Sequence, residues 1–282
     1  MWCSCRRLFL ALVIYGLALF PGTPLLAAQE PLIFAIHPYL SVPEIQKRFM
    51  PLANYLAAVL QRPVSIRVGG NYEEHIHAIG RDEVDMAFMG PAAYISMVEQ
   101  FGSKPVLARF EVNNDPNLYG VIATRRDTRI MNLSILAHKR FAFGDPGSTM
   151  SHIVPRYMLL QAGLENGAPV DYKFLGSHQN VALGILAGDF DAGAMKKEVF
   201  DQFESRGLRA LAITPGVPDH LFVARSNLPP EDISRLRDAL LGLKDAAILQ
   251  GMHKGLTALV PAGEVDYQQL RSMLHAVNAL DQ

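Results

Sequence analysis

Cysteine is almost missing from this chain of 282 residues: Cys3 and Cys5 are the only two. Beyond residue 5 there is no thiolate nucleophile, no thiolate metal ligand and no means of forming an internal disulfide, so the fold must rest on its core. Charge of one sign is missing too. The 26 Lys and Arg residues face 27 Asp and Glu, a net charge of −1. No field of either sign exists to grip nucleic acid. Long apolar runs are absent except near the N-terminus, and no charge block or Ser/Gly-rich linker interrupts the chain. What is present is ordinary for a globular protein, with 50% hydrophobic and 19% charged residues. The length fits one large domain or two of moderate size.

Residues 1–28 read as a secretory signal. Arg6 and Arg7 form a positive start, Leu8–Phe20 is an uncharged apolar run, and Pro21, Gly22 and Pro24 break any helix there. Leu26-Ala27-Ala28 offers small residues for cleavage before Gln29. The alternative is a retained anchor, because Leu8–Ala28 carries no charge. Neither cysteine follows the apolar run, where a lipid-anchor cysteine would stand. Export to the periplasm follows on either reading. Cleavage removes two basic residues and no acidic one, leaving a net charge of −3.

Strand-like and helix-like segments then alternate, which predicts an α/β fold with mostly parallel strands. Leu32–Ile36, Val64–Val68 and Met86–Met89 read as strands, and Val42–Leu60, Tyr72–Ile79 and Ala92–Gln100 as helices. Two stretches look alike, Tyr72–Met89 and His178–Met195. Each is a polar loop, an apolar helix, a Gly stop, an Asp-rich turn and a strand of small residues. They read either as a pseudo-repeat that builds two lobes or as two generic αβ units. With two lobes, Leu118–Thr124 and His220–Ala224 are the best crossovers. The division is then a first part of lobe one at 29–120, lobe two at 125–218, and a return through 219–282 whose C-terminal helices complete lobe one. Two crossings make a hinge suited to closing on a ligand.

The segment Arg140–His152 carries the most chemistry. Phe141–Phe143 is a strand, Gly144-Asp145-Pro146-Gly147 a tight turn, and Ser148 stands at the N-cap of a helix running from about Thr149 to Ala162. Free N–H groups and the hydroxyls of Ser148, Thr149 and Ser151 suit a tetrahedral oxyanion. The same residues also serve plain helix capping. His178, at the start of a second helix after Gly176-Ser177, can donate even when neutral, or can be an ordinary surface histidine. Tyr72 opens a third helix after Asn71. His75 and His77 are two apart and make a poor metal pair. No Gly-x-Ser-x-Gly elbow, Walker loop, dinucleotide fingerprint or HExxH is present. The residues therefore give no enzyme, no cofactor and no metal centre.

Together these motifs resemble the periplasmic phosphate, phosphite and phosphonate-binding proteins of ABC importers, which are type II solute-binding proteins. The matches are FAFGDPGST at 141–149 with His152, Pro155, Arg156 and Tyr157, and GSHQNVALGILAGDFDAGA at 176–194. MGPAAY at 89–94, YGVIATRRD at 119–127 and the Pro218 region also fit. The resemblance implies two αβ lobes joined by two crossover strands with a cleft between them. It implies ligand contacts at Tyr72, Ser148, Thr149 and His178, and at the positions of Met89, Met150 and His220. At these last three the sequence departs from the aminophosphonate-binding pattern of an aromatic hydroxyl, a serine and an acidic residue. A shift of one residue would put Asp219 in place of His220 and reverse the argument there. As the sequence stands, a small oxyanion such as phosphate, phosphite or a simple alkylphosphonate is expected, not an aminoalkylphosphonate. The implied partner is an inner-membrane ABC permease, with a monomer as the binding unit. The alternative is a sensing subunit of the same fold serving a receptor kinase or cyclase. A metal site built from His178, His220 and His37 is a further rival.

Overall fold

The computed structural model describes residues 30–165 and 170–281. The signal-sequence reading of residues 1–28 lies outside them. The first run is β1 (Leu32–Ile36), α1 (Val42–Leu60), β2 (Val64–Val68), α2 (Tyr72–Gly80), β3 (Met86–Met89), α3 (Pro91–Phe101) and β4 (Val106–Val112). Short β5 (Asn117–Leu118) leads into β6 (Gly120–Arg125), β7 (Arg140–Phe143), α4 (Val154–Gln161), β8 (Asp171–Phe174), α5 (His178–Ala187), β9 (Ala192–Lys196), α6 (Lys197–Glu204) and β10 (Leu208–Ile213). The chain returns through β11 (Val217–Pro218) to β12 (Leu221–Ala224), α7 (Pro230–Gly242), α8 (Ala246–Met252), β13 (Leu256–Val260) and α9 (Gln268–Asn278).

Two sheets result, ordered β13-β4-β12-β3-β1-β2 and β10-β6-β9-β7-β8. Strands β1 and β3, Leu32-Ile-Phe-Ala-Ile36 and Met86-Ala-Phe-Met89, are apolar throughout because helices cover both faces. Each sheet is mixed, which corrects the expectation of mostly parallel strands. β2, β1 and β3 run parallel, as do β8, β7 and β9. The strands nearest the crossovers, β12 and β6, run against β3 and β9.

The crossovers themselves are shorter than the apolar runs implied. Between the sheets the two chain crossings pair as β5 and β11, antiparallel, joining Leu118 to Val217 and Asn117 to Pro218. The longer runs Gly120–Arg125 and Leu221–Ala224 are interior strands, buried because both their edges are paired. The likeness of the two stretches is structural. β3 lies between β1 and β12 in one sheet, and β9 lies between β7 and β6 in the other.

One apolar cluster crosses between the sheets. Tyr267, Leu270, Met273, Leu274 and Val277 of the α9 region pack with Ile153 and Val154 at the head of α4. Arg156 of α4, itself buried, grips Asp281 with two bonds of 2.8 Å. The C-terminal segment therefore ties the second sheet's helix layer to the first lobe.

Candidate functional site: a cavity ringed by helix starts

The turn Gly144–Gly147 is built tightly. Asp145 accepts the N–H of Gly147 at 2.8 Å on its carboxylate and that of Ser148 at 3.0 Å on its carbonyl. A Cβ on Gly144 would lie 2.2 Å from the Ser151 hydroxyl, so only glycine fits. The helix expected from Thr149 begins instead as a π turn over Thr149–Ile153. Pro155 explains this, because it has no N–H to give the Ser151 carbonyl. That carbonyl accepts from Gly144 N–H at 3.2 Å, which locks the turn to the helix.

Ser148 caps the turn, its hydroxyl accepting Ser151 N–H at 3.3 Å. Among the described residues, the N–H groups of Thr149 and Met150 meet no protein acceptor. They are free donors at the positive end of a helix. The Thr149 hydroxyl accepts Ala92 N–H at 3.0 Å from the other lobe and keeps its own proton to donate.

Around this turn lies a narrow cavity of about 10 Å³. Its wall is Tyr72, Gly90, Leu118, Ser148, Thr149, Met150, His178, Lys196 and His220. Five of these mark helix starts. Tyr72 opens α2, Gly90 caps α3, Ser148 caps the π turn, His178 opens α5 and Lys196 caps α6. Helix starts carry partial positive charge, and no arginine lines the cavity among the described residues.

Six of the seven residues singled out in the sequence meet at this wall. Met89 does not line it. It is fully buried in the apolar cluster behind, paired with Leu221 across β3 and β12. Met150 does line it, with its sulfur held by the Thr214 hydroxyl at 3.5 Å. His220 rather than Asp219 faces the cavity. Asp219 stands behind and accepts from His220 Nδ1 at 2.7 Å.

Lys196 was not anticipated. It is 6% exposed, and its Nζ lies 5.2 Å from the centre of the Tyr39 ring. Among the described residues its ammonium pairs with no carboxylate. The signal was in the repeat. Asp191–Met195 followed by Lys196 matches Asp85–Met89 followed by Gly90, so both residues stand at a strand end beside the cleft. A larger groove of about 1060 Å³ opens next to the cavity and shares Leu118 and Lys196 with it.

The histidines divide into wall and support. Lys196 N–H donates to His178 Nδ1 at 3.1 Å, so Nδ1 is bare and Nε2 carries the proton. Burial, reinforced by Lys196, pushes the His178 pKa down to about 3. His220 is pushed down to about 4 by burial and Lys196, against the pull of Asp219. Tyr72 is raised by burial and by Asp145, so its hydroxyl stays a donor. His37 does not reach the wall. It is fully buried, stacked on His220 at 5.1 Å, and donates from Nδ1 to the Phe88 carbonyl at 3.1 Å. His152 braces the turn through the Pro146 carbonyl at 2.7 Å. Among the described residues no three His, Cys, Asp or Glu side chains converge on a point where a metal could sit.

The profile of the periplasmic substrate-binding proteins of phosphonate ABC transporters matches residues 34–267. The chain belongs to this family. Its members are substrate-binding transport proteins, not enzymes. A probable phosphite-binding protein of an ABC transporter from Prochlorococcus marinus is 25% identical over 66% of this chain and 61% of its own length. The match thus spans less than two thirds of that relative. A phosphate-import protein from Mycolicibacterium smegmatis is 25% identical over 74% of this chain and 70% of its own. The Prochlorococcus protein solved with methylphosphonate superposes with a TM-score of 0.79, at 22% identity over 88% of this chain and 98% of that one. Such structures share the two-lobed type II binding-protein fold. Among the described residues no helix is long and apolar enough to cross a membrane.

Proposed function

We propose that the chain captures a small phosphorus oxyanion in the cavity between its lobes and presents the closed form to the permease of an ABC importer. The observation that carries this is the meeting of five helix starts, two free N–H groups, three hydroxyls, His178 Nε2–H and Lys196 at one buried point. A buried anion needs nearly every oxygen hydrogen-bonded, and this wall supplies donors from both lobes. Contacts from both sides favour the closed state, which a partner can then distinguish.

Phosphite, phosphate and methylphosphonate fit this reading, in line with what the relatives are named for. An aminoalkylphosphonate does not. Among the described residues no carboxylate lines the cavity itself, Lys196 there would repel an ammonium, and the carboxylates of Glu198 and Asp219 line the adjoining groove instead. The ligand contacts in this reading are Tyr72, Ser148, Thr149, Met150, His178, Lys196 and His220, with the lobes dividing at the β5–β11 pair. Periplasmic residence after export and a monomeric unit complete it. The test is titration calorimetry on ligand-stripped protein with phosphate, phosphite, methylphosphonate and 2-aminoethylphosphonate. Saturable binding of one of the first three, with little heat from the last, supports the reading. No binding by any of them rejects it.

A further inference from the structure

The cavity wall offers donors almost everywhere, with one exception. His220 gives its Nδ1–H to Asp219, so in the neutral ring Nε2 carries a lone pair. Nε2 has no protein partner among the described residues and is not sealed off. It faces Gly90 and Thr149, since a Cβ on Gly90 would lie 3.7 Å from Nε2 and 3.8 Å from the Thr149 hydroxyl oxygen. A fully ionised oxyanion has no proton to offer there. Its oxygen would meet the lone pair head on.

Taking the cavity as an oxyanion site, we infer that His220 makes it selective for an oxyanion that still carries one proton, with the ligand's P–O–H donating to Nε2. The class is the phosphorus oxyacids, whose second ionisation lies near neutrality. Sulfate and sulfonates, fully ionised at that pH, are excluded. The proton count is the same whichever atom holds the proton. The complex has one proton more than the ligand dianion plus the neutral protein.

The surroundings keep His220 neutral until such a ligand arrives. Lys196 from β9 and His253 after α8 both oppose a positive charge on the ring, and His178 of α5, on the same wall, is coupled to it in the same sense. His37 stacks on it at 5.1 Å, and Phe88 at 5.2 Å. Tyr39, at 6.2 Å, and Phe110, at 6.4 Å, close the remaining faces without charge. Asp219 alone favours the imidazolium, and it is already engaged by Nδ1–H and by the His220 amide at 2.6 Å.

The experiment is calorimetry of the ligand-stripped protein with phosphite, methylphosphonate, sulfate and methanesulfonate, in buffers of different ionisation enthalpy, from pH 5.5 to 8.5. Above the ligand's second ionisation, one proton is taken up per phosphite or methylphosphonate bound, and the dissociation constant rises about tenfold per pH unit. Sulfate and methanesulfonate bind about a hundredfold more weakly or worse at pH 7. His220→Asn, checked for folding by its thermal midpoint, takes up no proton and loses most of the discrimination. His178→Ala weakens binding but keeps the proton uptake. If phosphite binds without proton uptake, or sulfate binds as well as phosphite, the inference is wrong while the oxyanion site stands. If none of the four binds, the oxyanion reading itself fails. Should His220→Asn not fold, the wild-type proton count and the sulfate comparison decide alone.

Discussion

The backbone N–H of Lys196 donates to Nδ1 of His178 across 3.1 Å, and this one bond fixes which face of the imidazole is acidic. The strand end that places the Lys196 ammonium beside the cavity also forces His178 to present Nε2–H. Charge and hydrogen-bond direction are set together by the β9–α6 junction.

The first prediction follows from that bond. Replacing His178 by Ala removes one donor to a charged oxygen and weakens oxyanion binding by about 1.5–3 kcal/mol. His178→Gln, whose amide nitrogen reaches the place of Nε2, retains more affinity than His178→Asn, whose amide reaches only the place of Nδ1. Calorimetry on the three variants checks the order.

Lys196→Met keeps the length and loses the charge. Affinity for the oxyanion falls at least tenfold, about 1.4 kcal/mol. Its salt dependence flattens as well, because the full charge at the wall is gone. The same variant removes one of the charges that depress Glu198, so its carboxylate pKa rises from its present position.

Glu198 lies outside the cavity but joins the lobes. It meets Arg48 of α1 at 3.4 Å and His253 after α8 at 3.1 Å. Burial alone would raise its pKa, but the His253 bond and the charges of Lys196, His253 and Arg48 hold it below the usual range. Glu198→Gln shifts the balance toward the open form. Affinity drops about three- to tenfold with no ligand contact removed. Small-angle scattering of the unliganded variant should show a larger radius of gyration than wild type.

Acid should destabilise the fold before it protonates most carboxylates. Burial first of all depresses the pKa values of His75, His152 and His220 to about 4 and of His178 to about 3, against an ordinary value of 6.5. Between these values the unfolded chain binds more protons than the folded one, so stability rises with pH in that window. Stability is full above about pH 6.5 and is lost as pH falls toward 4. The thermal midpoint measured from pH 7.5 to 4 should fall steadily below pH 6.5. His75→Phe should lessen the fall, since neither ring nitrogen of His75 has a partner.

Much of this was legible in the sequence. The glycine turn, Ser148, Thr149 and the second helix start at His178 announced themselves through capping and breaker chemistry, which is local. The repeat also showed, because αβ units of like pattern fold alike. What stayed hidden depends on distant packing. The π turn at Thr149 arises from Pro155, whose effect reaches back to a carbonyl that Gly144 then takes. Nothing local marks Lys196 as buried, and only the packing of the β9 end beside Tyr39 makes it so. Met89 matched the right position along the strand but the wrong side of the sheet wall. The β5–β11 pair did not show, because two residues carry too little apolar pattern to stand out from the interior strands on either side.

The most direct test is a crystal structure of the protein grown with saturating phosphite. The expected result is a single oxyanion between the lobes, its oxygens within hydrogen-bond distance of the Thr149 and Met150 N–H groups, the Ser148, Thr149 and Tyr72 hydroxyls and His178 Nε2. Density in the neighbouring groove by Asn117 and Lys254, with the cavity unchanged, would contradict it.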